Sequence, residues 1–237
     1  MTTPIEEQAL IDPPSYNAVF YDRNSFIYKV YTILYIQMLV TIGICSLFIY
    51  NENIKNYIQG TNGQAMLITS LVFQFVLIII LSCTGIHRTK PWNFIILGLF
   101  TLFLSYTLGV ISSYYDTNTL LIAGGATCLI TLGLTLFACQ TKYDFTGYGP
   151  YLLCFLLILI FMGTMSIFIH NQIYNLIYSC LGALIFSFYI VYDTQLIIGG
   201  KHTKYKYDDE DYVIAALSLY LDIINLFIYI LEILNKK

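Results

Sequence analysis

The chain has 237 residues, of which 58% are hydrophobic and only 11% are charged. Soluble domains carry about 25% charged residues, so this composition excludes an ordinary soluble domain and indicates an integral membrane protein. The formal net charge of −3 is too small to suggest a nucleic-acid partner. The lipid bilayer is therefore the first predicted partner.

The chain begins with about 25 polar residues that include prolines, and they show no cleavable signal sequence. We expect residues 1–25 to form a disordered cytosolic tail. Within it, Pro13, Pro14 and Tyr16 form a PPxY motif. Consecutive prolines favour the polyproline II conformation that WW domains bind at low entropic cost. The motif suggests a WW-domain partner such as a ubiquitin ligase, and a plain linker is the alternative.

The remainder, residues 26–237, is predicted to be one transmembrane domain. A spanning helix needs about 20 apolar residues, and the sequence offers seven such runs, numbered here as spans 1 to 7. Short loops make consecutive helices neighbours. The predicted fold class is therefore all-α, a compact bundle of seven transmembrane helices. The runs cover residues 30–50, 64–86, 92–113, 119–139, 150–169, 174–198 and 212–234.

The basic residues predict the orientation, because Lys and Arg are enriched in cytosolic loops. A cytosolic N-terminus puts most of them on the cytosolic side and leaves only Lys55 in the opposite loops. Lys236 and Lys237 then end the chain on the wrong side. Seven full spans is our prediction. A last helix that is re-entrant or buried within the bundle stays open, and we expect span 7 in or near the bundle centre.

The sequence shows no motif for catalysis. It has no nucleophile–base pattern, phosphate-binding glycine loop or zinc signature, so we expect no enzymatic activity, no cofactor and no high-affinity metal site. Its six cysteines lie inside or at the edges of the apolar runs and are interpreted as small buried hydrophobic residues.

Span 7 carries polar residues on one face. At 100° per residue they fall within a narrow arc, whereas the other faces are Leu, Ile, Val, Ala and Phe. A polar stripe on a spanning helix normally faces the bundle interior or a water path. The stripe consists of Asp211, Ser218, Asp222, Asn225, Tyr229 and Glu232.

Asp193 in span 6 is the natural partner of Asp222. Apart from Glu232, these are the only acids well inside apolar segments, and they lie on consecutive helices. Two carboxyl groups that meet in an apolar environment cannot both ionise cheaply, so the pair would hold one shared proton and respond to pH. The alternative is a hydrogen-bonded polar pair that only fixes helix register. A Ca²⁺ ion could also replace the proton during permeation.

Four segments have distinctive sequences: E-D-Y-V-I-A-A-L-S-L-Y-L-D-I-I-N-L-F (210–227), Y-I-V-Y-D-T (189–194), R-N-S-F-I-Y-K-V-Y-T-I-L-Y-I-Q (23–37) and Q-T-K-Y-D-F-T-G-Y-G (140–149). Together they resemble the Bax inhibitor (transmembrane Bax inhibitor motif) family. The resemblance covers about residues 23–237. It is greatest to the Golgi anti-apoptotic branch, which has cellular and poxviral members.

The resemblance implies a multi-pass protein of Golgi or ER membranes that restrains apoptosis as a pH-sensitive Ca²⁺ leak or cation channel. It implies that Asp193 and Asp222 form the pH-sensing pair and that Glu210 takes part in ion conduction with Asp222. It also implies that Arg88 is the counter-ion of the span 6 acid in a closed state. On this interpretation the ion pathway comprises Glu210, Ser218, Asp222 and Asn225, with Ca²⁺ as the permeant ion.

The chain departs from the family pattern at two positions. Some members carry acidic or amide side chains where this sequence has Leu104 and Ile122, so conduction through those positions is in doubt. The alternative hypothesis is a non-conducting regulator that binds host Ca²⁺ channels or apoptotic proteins.

Overall fold

The structure is a computed structural model that describes residues 16–199 and 203–235, with side chains from residue 23 onward. In this part of the chain, seven helices are long and apolar enough to cross a membrane. Each coincides with most or all of one predicted span, so the predicted all-α bundle is confirmed. In chain order the helices are α1 (Tyr16–Tyr50), α2 (Glu52–Gln59), α3 (Thr61–Cys83), α4 (Trp92–Ser112), α5 (Thr117–Gln140), α6 (Gly149–Ser166), α7 (Gln172–Ile198) and α8 (Tyr212–Leu234).

Two features of the N-terminal part differ from the sequence prediction. Helix α1 begins at Tyr16, within the segment assigned to the tail. The segment after α1, expected to be a loop, contains the short helix α2. Its N-terminus is capped by Asn51, whose side chain accepts hydrogen bonds from the backbone of Asn53 (3.1 Å) and Ile54 (3.2 Å). Such a cap satisfies amides that a short helix leaves without partners.

Helix α8 lies at the centre of the bundle. It packs against α7, α1, α5 and α4. Within its most apolar stretch, 61% of the residues are buried, compared with 44% or less in every other span. The surrounding helices therefore shield α8 from lipid, and polar side chains can be accommodated on it at reduced cost. The predicted central position of span 7 is confirmed.

Hydrogen bonds between buried hydroxyl groups join α8 to α1 and α4. The Thr41 hydroxyl lies 2.6 Å from the Tyr220 hydroxyl and 2.9 Å from the Ser105 hydroxyl. Nearby, the Gln37 amide donates to the Thr101 hydroxyl at 3.0 Å. Interhelical hydrogen bonds of this kind contribute about 0.6 kcal/mol each on average. Their main effect is therefore to fix the register of the three helices, and their contribution to the stability of the fold is small.

Arg23 connects the N-terminal part of α1 to the C-terminal end of α7. Its guanidinium donates to the carbonyl oxygens of Leu196 (2.5 Å), Ile198 (3.1 Å) and Tyr207 (2.8 Å). Carbonyl groups at a helix C-terminus lack partners within the helix and favour a cation. Gly199 follows with φ of +55°, a conformation that glycine adopts without strain.

The cysteines differ from their predicted environment. Five of the six lie on the outer surface of the bundle and Cys45 is half-buried; all six are free thiols. The expectation that they are buried in the protein is therefore wrong for those five. A surface that faces lipid accepts small apolar side chains as readily as a protein core does, so an apolar sequence context does not distinguish the two locations.

Candidate functional site

The two acids of the predicted pair come from adjacent helices. Asp193 lies in the last two turns of α7, and Asp222 lies near the middle of α8. These helices pack along each other. The side chains are almost completely enclosed, with 4% of Asp193 and 5% of Asp222 exposed. Both acids therefore lie inside the bundle and not on its lipid-facing surface.

The carboxyl groups of Asp193 and Asp222 lie within hydrogen-bond reach of each other. Neither takes part in an ion pair among the described residues. The Oδ2 atom of Asp222 is buried and has no hydrogen-bond partner in that part of the chain. Two unpaired negative charges so close together in a buried position would be strongly unfavourable. The arrangement therefore favours a single proton held between the two carboxyl groups.

The pair opens onto a cleft of about 550 Å³ between α6, α7 and α8, and polar and apolar groups both line it. The cleft contains four members of the predicted stripe, so the helical periodicity correctly placed them on one face. Asn225 donates to the Leu221 carbonyl of its own helix at 2.8 Å, which leaves its side-chain oxygen available to the cleft. The polar groups that line the cleft are Tyr178, Tyr189, Tyr192, Asp193, Tyr207, Ser218, Asp222, Asn225 and Tyr229.

Tyr207 covers the end of the cleft where α8 begins. Its hydroxyl lies 3.4 Å from the Ser218 hydroxyl, and its backbone is held by Leu196 (N–H to carbonyl, 3.2 Å) and by Arg23. Sequence reasoning missed this residue, because nothing in the loop pattern distinguishes one tyrosine from the other 21. The loop before α8 therefore contributes to the site as well as connecting two helices.

Arg88 is not the counter-ion of Asp193 in this structure. Its guanidinium binds Asp211 at 2.7 and 2.9 Å and Asp208 at 3.0 Å. His87 contacts the same Asp211 carboxylate at 3.1 Å. Hydrogen bonding to Asp211 and its charge raise the pKa of Arg88. Arg88 lies in the loop before α4, where Asp208 and Asp211 are within reach, whereas Asp193 is enclosed between helices.

The remaining predicted residues lie at the edges of the site or outside the described structure. Glu210 is exposed in the turn just before α8, beyond the cleft lining. Pro13 and Pro14 of the PPxY motif lie outside the described residues. Tyr16 begins α1, with its side chain outside the description. The roles assigned to these four residues stay predictions.

Among the side chains of residues 23–199 and 203–235, no three His, Cys, Asp or Glu are grouped closely enough to hold a metal ion. Hard cations such as Ca²⁺ are held by carboxylate, carbonyl and hydroxyl oxygens, and their affinity rises with the number of charged ligands. A cation in the cleft could use two carboxylates at most, which suits brief occupancy better than tight binding.

The fold and the site together define a class of protein: a multi-pass α-helical membrane protein with a buried acid pair between two adjacent helices. The family model described as inhibitor of apoptosis-promoting Bax1 matches residues 23–237. The chain belongs to this family, as the sequence motifs indicated.

Curated relatives match most of the chain. It is 34% identical over 220 residues to Protein lifeguard 3 of Mus musculus, covering 91% of this chain and 70% of the relative. It is 35% identical to Protein lifeguard 3 of Homo sapiens with the same coverage. It is 37% identical over 219 residues to the Golgi anti-apoptotic protein of Vaccinia virus (strain Lister), covering 91% of this chain and 88% of that protein.

Proposed function

We propose that this protein restrains apoptosis from a Golgi or ER membrane by acting as a pH-sensitive leak for Ca²⁺. The family description and the printed name of the Vaccinia virus relative support the anti-apoptotic role and the Golgi location. The observation that carries the mechanism is the buried contact between Asp193 and Asp222. No cofactor is required, and Ca²⁺ is the permeant ion.

The pair supplies a physical means of gating. With one proton the two carboxyl groups attract each other and hold α7 against α8. Loss of that proton leaves two like charges in a buried site, and their repulsion favours separation of the helices and entry of water or a cation. Because Tyr207 and Ser218 lie at the same end of the cleft, separation there would open a route past them towards Glu210.

Orientation follows from the basic residues. An N-terminus in the cytosol puts Glu210 and the exposed acids before α8 on the cytosolic side. Their negative charges would raise the local concentration of cations at this mouth. The PPxY motif would then be cytosolic, where a WW-domain ubiquitin ligase could bind it.

Ca²⁺ flux from liposomes containing the purified protein tests this function. We expect wild-type flux to increase as the pH is raised across the titration range of the pair. Asp222→Asn should lose that pH dependence and retain about a tenth or less of the maximal flux, since a neutral amide cannot generate the repulsion. Glu52→Gln, an exposed acid in the first turn of α2, is the matched control and should conduct like wild type.

Two results would contradict the proposal in different ways. Absence of wild-type flux at every pH would exclude a leak and favour a non-conducting regulator that binds host Ca²⁺ channels or apoptotic proteins. The apolar residues Leu104 and Ile122, which stand where relatives can carry polar groups, favour that alternative. Equal flux through wild type and Asp222→Asn would instead remove Asp222 from the gating mechanism.

A further inference from the structure

A second polar cavity lies at the other end of α8, away from the acid pair. It has a volume of about 500 Å³ and lies between the start of α7, the end of α6 and the last turn of α8. Glu232, which was predicted only as the last member of the stripe, points into it. The polar residues that line the cavity are Tyr115, Ser166, Gln172, Asn175, Tyr178, Ser179, Glu232 and Asn235.

The ligand chemistry of this cavity is that of a hard cation. Among the described residues, its polar groups are one carboxylate surrounded by neutral hydroxyl and amide groups, and the lining includes no Lys, Arg, His or Cys. Ca²⁺ takes six to eight oxygen ligands from such groups and from water. The described lining would offer an anion a carboxylate and no basic side chain, so it favours a cation.

Glu232 is only partly satisfied by the protein. The Ser179 hydroxyl donates to its Oε2 at 2.7 Å. Within the described residues, Oε1 receives no hydrogen bond and no ion pair includes this carboxylate. Burial, and then the charge of Glu232, raise the pKa of Tyr115, which keeps that neighbour neutral. A half-buried carboxylate with one unbonded oxygen facing a polar cavity would be stabilised by a positively charged partner.

The surroundings add negative charge. A neighbouring cavity of about 440 Å³ shares Tyr115 and Asn235 with the first and is lined by Asp116. Asp116 precedes α5, and its side chain makes no capping hydrogen bond there. At this end of the described bundle, Glu232 and Asp116 each line a cavity that Tyr115 also lines. Lys236 and Lys237 follow in the sequence and lie outside the described residues.

We propose that the cavity around Glu232 is a weak binding site for a divalent hard cation of the Ca²⁺ class, separate from the Asp193–Asp222 cleft. Glu232 supplies the charge through its free oxygen, Asn175 and Ser179 supply neutral oxygen ligands, and water completes the coordination. Because Ca²⁺ affinity rises with the number of charged ligands, a single carboxylate makes this a weak site.

Tyr178 and Tyr229 separate the cavity around Glu232 from the Asp193–Asp222 cleft. The hydroxyl groups of Tyr178 and Tyr229 lie 3.0 Å apart, and their rings meet edge to face with centroids 5.4 Å apart. Tyr178 lines both spaces. A cation at Glu232 is therefore blocked by this pair from reaching Asp222 in the present arrangement.

Terbium luminescence tests the site directly. Tb³⁺ is a hard cation that accepts the oxygen ligands of Ca²⁺, and tyrosines next to a bound Tb³⁺ ion sensitise its emission. Since Tyr115 and Tyr178 line this cavity, the purified full chain in detergent should show emission that Ca²⁺ displaces. Glu232→Gln should weaken the apparent affinity for Tb³⁺ about tenfold or more, because it removes the only charged ligand.

Control variants make the result specific. Glu52→Gln should bind Tb³⁺ like wild type, whereas Asn175→Ala should weaken binding severalfold. Thermal unfolding of each variant confirms that it is folded. Wild-type emission that is absent, or that Glu232→Gln leaves unchanged, would overturn the proposal. The assay measures binding and not flux, so it remains decisive even if the protein conducts no ions.

Discussion

At the scale of single residues, two glycines make room for the two tyrosines that separate the cavities. A Cβ atom added at Gly182 would lie 2.6 Å from the Tyr229 ring, and one added at Gly163 would lie 2.7 Å from the Tyr178 hydroxyl. Glycines in membrane helices generally permit close helix packing. The structure shows that each admits one particular aromatic side chain.

Gly182→Ala should destabilise the protein. The added methyl group overlaps the Tyr229 ring, which also stacks on Phe186 with centroids 5.8 Å apart, so the ring has little freedom to move away. We expect a loss of about 1–3 kcal/mol, visible as a lower thermal midpoint in detergent.

Gly124→Ala is the matched control, because nothing lies within 4 Å of a Cβ atom at that position of α5. It should be neutral or stabilise by up to about 1 kcal/mol through the better helix propensity of alanine. Equal midpoints for Gly182→Ala and Gly124→Ala would show that Tyr229 is not packed against Gly182.

The acid pair could be predicted from sequence, whereas several of its neighbours could not. Asp193 and Asp222 stand out because carboxylates are rare in apolar runs and these two lie on consecutive helices. Arg23 and Tyr207 bind each other although 184 positions separate them in the sequence. Local periodicity carries no information about contacts of that kind.

At the scale of elements, the segment before α8 is held over the cleft by residues from three other parts of the chain. Arg23 binds the Tyr207 carbonyl, Arg88 binds Asp208 and Asp211, and the Asp144 carboxylate accepts from the Lys204 backbone at 2.9 Å. This described part of the loop, residues 203–211, is therefore ordered by specific contacts and not by its own sequence.

Arg23→Gln should release this segment. Three carbonyl groups lose their donor, and the loss of such buried partners costs about 1–3 kcal/mol each before water compensates. We expect a lower thermal midpoint and faster amide hydrogen exchange, measured by mass spectrometry, across residues 203–211.

Lys29→Gln is the control from the same helix. Lys29 lies over the Tyr212 ring at 5.6 Å, a weaker contact that involves none of these carbonyl groups. Unchanged exchange across residues 203–211 in Arg23→Gln would show that Arg23 does not hold the segment.

The positions of the long helices were predictable, because each needs a run of apolar residues that few other structures require. Span 7 was predicted at residues 212–234, and α8 occupies the same residues. Helix α2 was missed because it is short and polar, and because its stability depends on the Asn51 cap and on burial of Ile58. The early start of α1 was missed because polar residues there gave no membrane signal.

At the scale of the whole molecule, seven crossings put the start of α1 and the end of α8 on opposite sides of the membrane. The central position and high burial of α8 show that it is enclosed by the other helices. They do not require it to cross fully, because a re-entrant helix would be enclosed as well. Whether α8 crosses the membrane fully is therefore tested by locating the two ends of the chain.

Tags fused before residue 1 and after Lys237 should differ in accessibility. With only the plasma membrane permeabilised, an antibody should reach the N-terminal tag and not the C-terminal tag, since the organelle membrane stays closed. A resident lumenal protein provides the control for membrane integrity. Access to both tags under these conditions would indicate that α8 turns back to the cytosolic side.

The central helix is also the last of the seven in chain order, and this has a consequence for biogenesis. During synthesis from the N-terminus, the first six membrane helices enter the bilayer before the element around which they pack exists. Until α8 arrives, Asp193 has no partner carboxyl group. The partly made protein must therefore keep an open, lipid-accessible centre, which is the stage at which membrane chaperones and quality-control proteases would recognise it.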